Sequence, residues 1–442
     1  MYTYSQPPYT RIPPFLFNAV NKFQNHRHLQ LFILILVSSK RTIIRKKMKI
    51  KTGQGTISLF TLLAIYSISM VTSLPGLAIS PILGSLETIF KGASDLQLQM
   101  LESLPSFIIV PFILLAGRLS MHTNQKKVLL IGLSIFFGCS IIYPFVKTLI
   151  LLLIISALLG IGAGMVIPFS TGLIANYFTG KYRTKQLGIA SSITNITLVL
   201  ATLLSGILAN INWHYSFLVY CLSGISLLFA FKLKNDPAPV SKHSSTPHRS
   251  FTLHWPVGLM LFYYLITILA LTIPFNLALY MENLHIGKSD MSGSLISVFF
   301  LSMTLPGFFI NKIISWFKSY TNFIAMAAIT SGLILFAFKG DIFTLVLGVT
   351  LIGLGYGCMQ PVIYDKTANS SPHPTYALAL VMSMNYIAII TYPFIIRALE
   401  NLFSTDSSYF PFWLNMFISA AFTLFVYFRR KTKTVGISPD EW

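Results

Sequence analysis

Leu159-Gly160-Ile161-Gly162-Ala163-Gly164-Met165-Val166-Ile167-Pro168 is written a second time as Ile352-Gly353-Leu354-Gly355-Tyr356-Gly357-Cys358-Met359-Gln360-Pro361, with every glycine and the proline in register. Ala175-Asn176 then meets Ala368-Asn369. Ser94-Asp95 and Pro111 find partners in Ser289-Asp290 and Pro306, in a register shifted by two residues. A chain that repeats itself at this length is built from two related units. The glycines lie in long apolar runs, where small residues let helix backbones approach closely although lipid gives helices little drive to associate. Gly160, Gly162, Gly164, Gly353, Gly355 and Gly357 are therefore read as packing glycines, with a surface on which the two units slide as the other reading.

The solvent around this repeat follows from composition. Of the 442 residues 54% are hydrophobic and 10% charged, against roughly 25% charged in soluble domains. Apolar runs of about 20 residues, the length that crosses a hydrocarbon core, recur from Ile57 to Phe428. They are continuous rather than alternating, so they are helices and not barrel strands. The fold class expected is all-α integral membrane. The runs cover residues 57–80, 99–120, 128–146, 149–176, 187–209 and 214–232, then 256–280, 291–314, 321–338, 341–365, 376–396 and 410–428. That gives twelve transmembrane helices as two six-helix bundles, at 48–232 and 256–428, joined by a polar linker at 233–255 and followed by a tail at 429–442. Residues 1–47 form an extension too short in apolar sequence to span. Met48 with Lys49 and Lys51 would make an ordinary basic start, so the extension is either a misassigned gene start or a functional arm.

Net charge is +20. In a soluble protein that would suggest nucleic acid, but here the charge tracks alternate loops. Arg118, Lys126 and Lys127, then Lys181, Arg183 and Lys185, then Lys312 and Lys318 mark one side, whereas the intervening loops hold Lys91, Lys147, Lys288, Lys339 and Arg397. The pattern predicts an even number of crossings with both termini cytoplasmic. Cys139, Cys221 and Cys358 all lie in apolar runs and are read as small packing residues.

The segment Gly117-Arg118-Leu119-Ser120-Met121-His122-Thr123-Asn124-Gln125-Lys126-Lys127 resembles the G-x-L-[SA]-D-R-x-G-[RK]-[RK] loop of the major facilitator superfamily. Trp213-His214-Tyr215-Ser216-Phe217-Leu218 is similar to the W-R-x-x-F segment that leads into the sixth helix of its twelve-helix drug:proton antiporters, and the glycine run to their fourth helix. Gly117, Arg118, Lys126 and Lys127 are carried over as the conformational loop. Two departures stand out: Met121 replaces the loop's acid, and Ser156 falls where the family has an arginine in its fourth helix. The resemblance implies a bacterial inner-membrane transporter that exports a small amphipathic compound by alternating access with proton exchange. The departures favour, as alternatives, an uncoupled facilitator or uptake carrier; a non-transporting sensor on the same scaffold is the third reading. The missing acid also predicts a weak or replaced charge latch.

Ionisable groups inside lipid are expensive and suggest function. Glu102, in the second helix, is the proton-coupling candidate, with an interfacial carboxylate near a helix N-terminus as the plainer reading. Asp365 and Lys366 at the inner end of the tenth helix read as a boundary pair near the headgroups. Deep uncharged polar residues line a mostly apolar cavity or hold helices together. The substrate-cavity candidates are Asn195, Asn276, Gln360, Tyr364 and Asn385. No H-E-x-x-H, P-loop or His/Cys cluster is present, so no enzyme activity, metal or cofactor is expected. The partners expected are a small-molecule substrate, the lipid bilayer and protons, without nucleic acid, for a protein acting as a monomer.

Overall fold

The computed structural model describes residues 49–75, 89–90, 95–209, 211–233, 256–283, 289–337, 341–405 and 407–433. The extension 1–47, nearly all of the linker and the last residues of the tail lie outside the described residues, as does Ser94. Among the described residues, two short extended segments, Lys49–Lys51 and Thr56–Ser58, precede twelve α-helices. These are α1 Leu59–Val71, α2 Asp95–His122, α3 Gln125–Ile142, α4 Leu149–Tyr177, α5 Gly180–Ala209 and α6 Leu222–Phe231, then α7 Val257–Asn283, α8 Ser289–Phe317, α9 Thr321–Ala337, α10 Ile342–Asn369, α11 Pro374–Leu402 and α12 Phe410–Lys433. A 3-10 turn over Trp213–Cys221 leads into α6.

Starts are set by side-chain caps and by proline. Ser58 accepts from the Thr61 N–H, Asn124 from that of Lys126 and Asp341 from that of Thr344, each satisfying an amide that the first helical turn leaves open. Pro374 opens α11 where its missing N–H does no harm. Gly180, with φ of +52°, turns α4 into α5 in a left-handed conformation that suits glycine. The helix therefore begins at Gly180 and not near residue 187. Arg183 lies within α5 and is buried, which corrects its reading as a loop cation.

Ten helical stretches of the described residues are long and apolar enough to cross a bilayer. One of them, Met291–Ala337, holds both α8 and α9; the 13-residue α1 is a shorter apolar helix beside the ten. Phe107, Ile150, Leu228, Phe343 and Phe394 stand more than half exposed around the outside, the arrangement expected where the surrounding solvent is hydrocarbon.

The repeat packs as it is written. A methyl group added at Gly160 would meet the Pro105 backbone of α2, and one at Gly164 would meet Phe112 and Ile109 of the same helix; at Gly162 it would meet Phe136 of α3. In the second half, Gly353 and Gly357 lie against Phe299 and Met303 of α8, and Gly355 against Ala325 and Ile329 of α9. All six glycines thus face neighbours within their own half. Their positions support the packing reading over the sliding one.

Candidate functional site at the seam between the halves

Where the two halves meet, small residues bring backbones together a second time. Gly188 of α5 and Gly307 of α8 each sit where the other's backbone would collide with a Cβ, and beside them Ser192 Oγ donates to the Thr304 carbonyl at 2.6 Å. On the opposite flank Gly117 abuts Ala379 and Tyr376 of α11, and Gly172 of α4 abuts Thr375. These contacts lie towards the end of the helices that carries Lys126, Lys181, Lys185, Lys312 and Lys366, called here the basic end. Of these seam glycines, the sequence had singled out Gly117 alone.

At the basic end an ion pair crosses the seam. Arg183 Nε donates to Asp365 Oδ1 at 2.6 Å, with the two side chains 7% and 21% exposed. Thr184 Oγ1 donates to the other carboxylate oxygen at 2.9 Å. Both carboxylate oxygens of α10 are thus held by α5 in a largely dry setting, where a charge-assisted bond is strong. Asp365 is not a headgroup boundary residue: it ties one half to the other. Asn311 Nδ2 adds a bond across the same flank, to the Lys181 carbonyl at 2.8 Å.

The loop that lacks its acid makes a neutral connection instead. Asn176 Nδ2 donates to Gln125 Oε1 at 3.2 Å and to Thr375 Oγ1 at 3.3 Å, joining the start of α3 and the end of α4 to α11. Lys126 Nζ donates to the Phe231 carbonyl at 2.9 Å and to that of Leu233, so it caps the end of α6, a favourable place for a cation. Arg118 and Lys127 are exposed. Just outside the membrane, burial and the neighbouring His122 hold the His373 imidazole below its usual range.

Deeper in the second half, three of the five cavity candidates converge. Tyr263 Oη of α7 lies 2.8 Å from Tyr364 Oη and 3.3 Å from Tyr356 Oη. Gln360 Nε2 donates to Tyr263 Oη at 3.1 Å and to Tyr364 Oη at 3.2 Å, and Tyr356 Oη donates to Asn385 Oδ1 at 3.3 Å. Tyr356, Gln360 and Tyr364 are spaced by four residues and form one stripe along α10. Next to Asn385, Tyr386 Oη reaches the Thr72 carbonyl near the end of α1 at 3.4 Å, so this face of α11 borders the seam.

The other candidates lie elsewhere. Asn276 Nδ2 donates to Tyr392 Oη at 2.6 Å in a knot with Thr272 and Asn415, which ties α7 to α11 and α12. Asn195 is half-buried in α5 and takes no part in the tyrosine network. The Glu102 side chain is outside the described residues, but its surroundings are informative. Pro105 has no N–H to give the Leu101 carbonyl, and Ser156 Oγ, fully buried, supplies that bond at 2.8 Å. The serine found at the family's arginine position therefore repairs a proline break. Tyr356, absent from the candidates, had a sequence signal: it is the one aromatic inside the repeated glycine run.

Two sets of helices that meet at a seam crossed by an ion pair, with a buried polar network beside it, have the build of a helical membrane carrier. Comparison with known proteins gives the family. The Major Facilitator Superfamily model matches residues 57–393, and the chain belongs to that superfamily. The quinolone resistance protein NorA of Staphylococcus aureus (strain COL) is 25% identical over 295 residues, covering 62% of this chain and 73% of NorA. The multidrug transporter protein MdtP of Bacillus subtilis (strain 168) is 32% identical over 123 residues, 28% of this chain and 22% of MdtP. Among solved structures, FucP in its outward conformation superposes with a TM-score of 0.64 at 13% identity, over 83% of this chain and 98% of that one. The human organic anion transporter MFSD10 gives 0.64 at 14% identity, over 81% and 99%. These likenesses establish a multi-pass membrane transporter with the twelve-helix fold of the superfamily, and not an enzyme.

Proposed function

We propose that the protein is a secondary carrier that exports a small amphipathic compound by alternating access, with proton exchange as its driving reaction and both termini cytoplasmic. The observation that carries this reading is the Arg183–Asp365 pair, a bond between the halves at the basic end. A carrier that alternates must make and break such contacts, because its substrate site opens to one side at a time. With the basic end facing the cytoplasm, as the loop charges suggest, the arrangement corresponds to a cytoplasm-closed state. Substrate would bind near Gln360, Tyr364 and Asn385, with Asn195 and Asn276 as supporting polar groups. The names of NorA and MdtP favour export of drug-like compounds.

Proton exchange is assigned to Glu102. It adjoins the Leu101 carbonyl that Ser156 holds, and it is an acid within an apolar run of the sequence, where an ionisable group suggests function. A facilitator without coupling is the second reading, and the neutral Gln125–Asn176–Thr375 connection favours it. The experiment is flux in proteoliposomes with and without an imposed pH gradient. Accumulation driven by the gradient, lost in Glu102→Gln while downhill exchange continues, is the expected result. Full accumulation in that variant removes Glu102 as the coupling group, and flux indifferent to the gradient in the unaltered protein leaves the facilitator.

A further inference from the structure

The polar network of α7, α10 and α11 has two unused ends. Gln360 gives both protons of Nε2 to the hydroxyls of Tyr263 and Tyr364, and Asn385 Oδ1 accepts from the Tyr356 hydroxyl. Gln360 Oε1 and Asn385 Nδ2 then have no hydrogen-bond partner among the described residues. Turning either amide over exchanges the labels but not the result, since each amide still uses one end on tyrosine and leaves the other free. Both side chains are half-buried, so the free ends are open to a ligand rather than sealed in the protein. The three tyrosines are fixed by one another and are buried, with 1%, 6% and 4% of Tyr263, Tyr356 and Tyr364 exposed.

Charge is the second half of the argument. Between Val257 and Tyr280, between Ile342 and Tyr364, and between Pro374 and Ile396 the sequence holds no Asp, Glu, Lys or Arg. A permanent cation entering between these stretches would leave water without a counter-charge from them, Asp365 just beyond Tyr364 being already held by Arg183 and Thr184, and burying an unpaired charge is costly. A neutral molecule with one hydrogen-bond donor and one acceptor pays no such penalty and satisfies both free amide ends. The buried tyrosines, with ring centroids 5.5 to 6.5 Å apart, hold the two amides in place for it.

The geometry points to an uncharged substrate class: compounds that carry a neighbouring donor and acceptor, such as a hydroxyl beside an amide, on an apolar or aromatic body. This rests on the carrier reading above and narrows it, since relatives named for drug resistance leave the charge of the drug open.

The test uses the full-length protein in lipid nanodiscs and two probes of similar size. Chloramphenicol is neutral and bears hydroxyls and an amide; tetraphenylphosphonium is a permanent cation without hydrogen-bonding groups. Saturable binding of chloramphenicol is expected, at least ten-fold tighter than that of tetraphenylphosphonium, and weakened ten-fold or more by Gln360→Leu and by Asn385→Leu. A variant that loses its cooperative melt is replaced by Asn385→Ser, which keeps a small polar group without the amide donors. Tighter binding of the cation, no saturable binding of the neutral probe, or binding of it that neither substitution moves would each overturn the inference. Counterflow of the same probes in proteoliposomes separates the two levels. Binding without flux would count against the carrier reading alone, and flux of the cation that ignores both substitutions would count against the substrate class alone.

Discussion

The fourth and tenth helices share a backbone pattern and differ in what they carry. Gly160, Gly162 and Gly164 pack α4 against α2 and α3 just as Gly353, Gly355 and Gly357 pack α10 against α8 and α9. In the same register, Ala163, Ile167 and Thr171 of α4 stand where α10 has Tyr356, Gln360 and Tyr364. One stripe is nearly all buried packing, and the other holds the polar network. A step further along, buried Gly172 of α4 lets Thr375 of α11 come close, while Asp365 of α10 takes the ion pair from α5. The halves thus share what builds the bundle and diverge at the seam and in the buried polar network.

The largest expected effect comes from undoing that divergence at the seam. Replacing Arg183 with Ala leaves the Asp365 carboxylate without its cation. The cost is on the order of 2 kcal/mol, below that of a fully buried pair because the carboxylate keeps some contact with water. That would shift the balance between access states about thirty-fold. Cysteines placed in the seam at the basic end should become reactive to water-soluble reagents in Arg183→Ala, and the exchanged pair Arg183→Asp with Asp365→Arg should protect them again. Unchanged reactivity in the single variant would make the pair a static fastener.

A smaller effect should be equal in the two halves. Alanine at Gly164 would press on Phe112 and Ile109, with the nearest atom at 2.7 Å, and alanine at Gly357 would press on the Met303 backbone. Overpacking of this kind costs about 1–3 kcal/mol. Matched losses of melting temperature in Gly164→Ala and Gly357→Ala would show that these glycines only pack. A loss of transport in one variant, at unchanged melting temperature, would break the equivalence and restore the sliding surface.

Much of the fold was legible because lipid makes hydropathy, glycine spacing and loop charge nearly sufficient. The helix run from α2 to α12 follows from apolar length, and the internal repeat located the tight crossings. The site was legible in part. Gln360, Tyr364 and Asn385 stood out as polar groups in apolar helices, yet nothing in their spacing separated them from Asn276, whose knot with Tyr392 and Asn415 depends on how α12 packs. The Arg183–Asp365 pair joins residues 182 apart in the chain and was hidden for the same reason: sequence gives the depth of a charge but not the helix it faces. The boundary error at α5 compounded this, since a cation placed in a loop has no reason to be a lock.

The smallest effect tests the flank opposite the ion pair, where His373 precedes α11 and His122 ends α2. In the closed arrangement burial and His122 keep the His373 imidazole below its ordinary value of 6.5; with the seam open and His122 withdrawn it returns towards that value. The closed arrangement thus binds a proton at His373 less readily than the open one. Its advantage is complete above pH of about 6.5 and declines as pH falls through that value towards the lower pKa of the closed form. His373 is half-exposed, so screening limits the effect to a few tenths of a kcal/mol, roughly a two-fold change in the open fraction. Seam cysteines should accordingly label about twice as fast at pH 5.5 as at pH 7.5 once the reagent's own pH dependence is subtracted, and His373→Gln should abolish the difference. If the response persists in that variant, the proton acts at another group, and the same measurement in Asp365→Asn decides whether it acts at the ion pair.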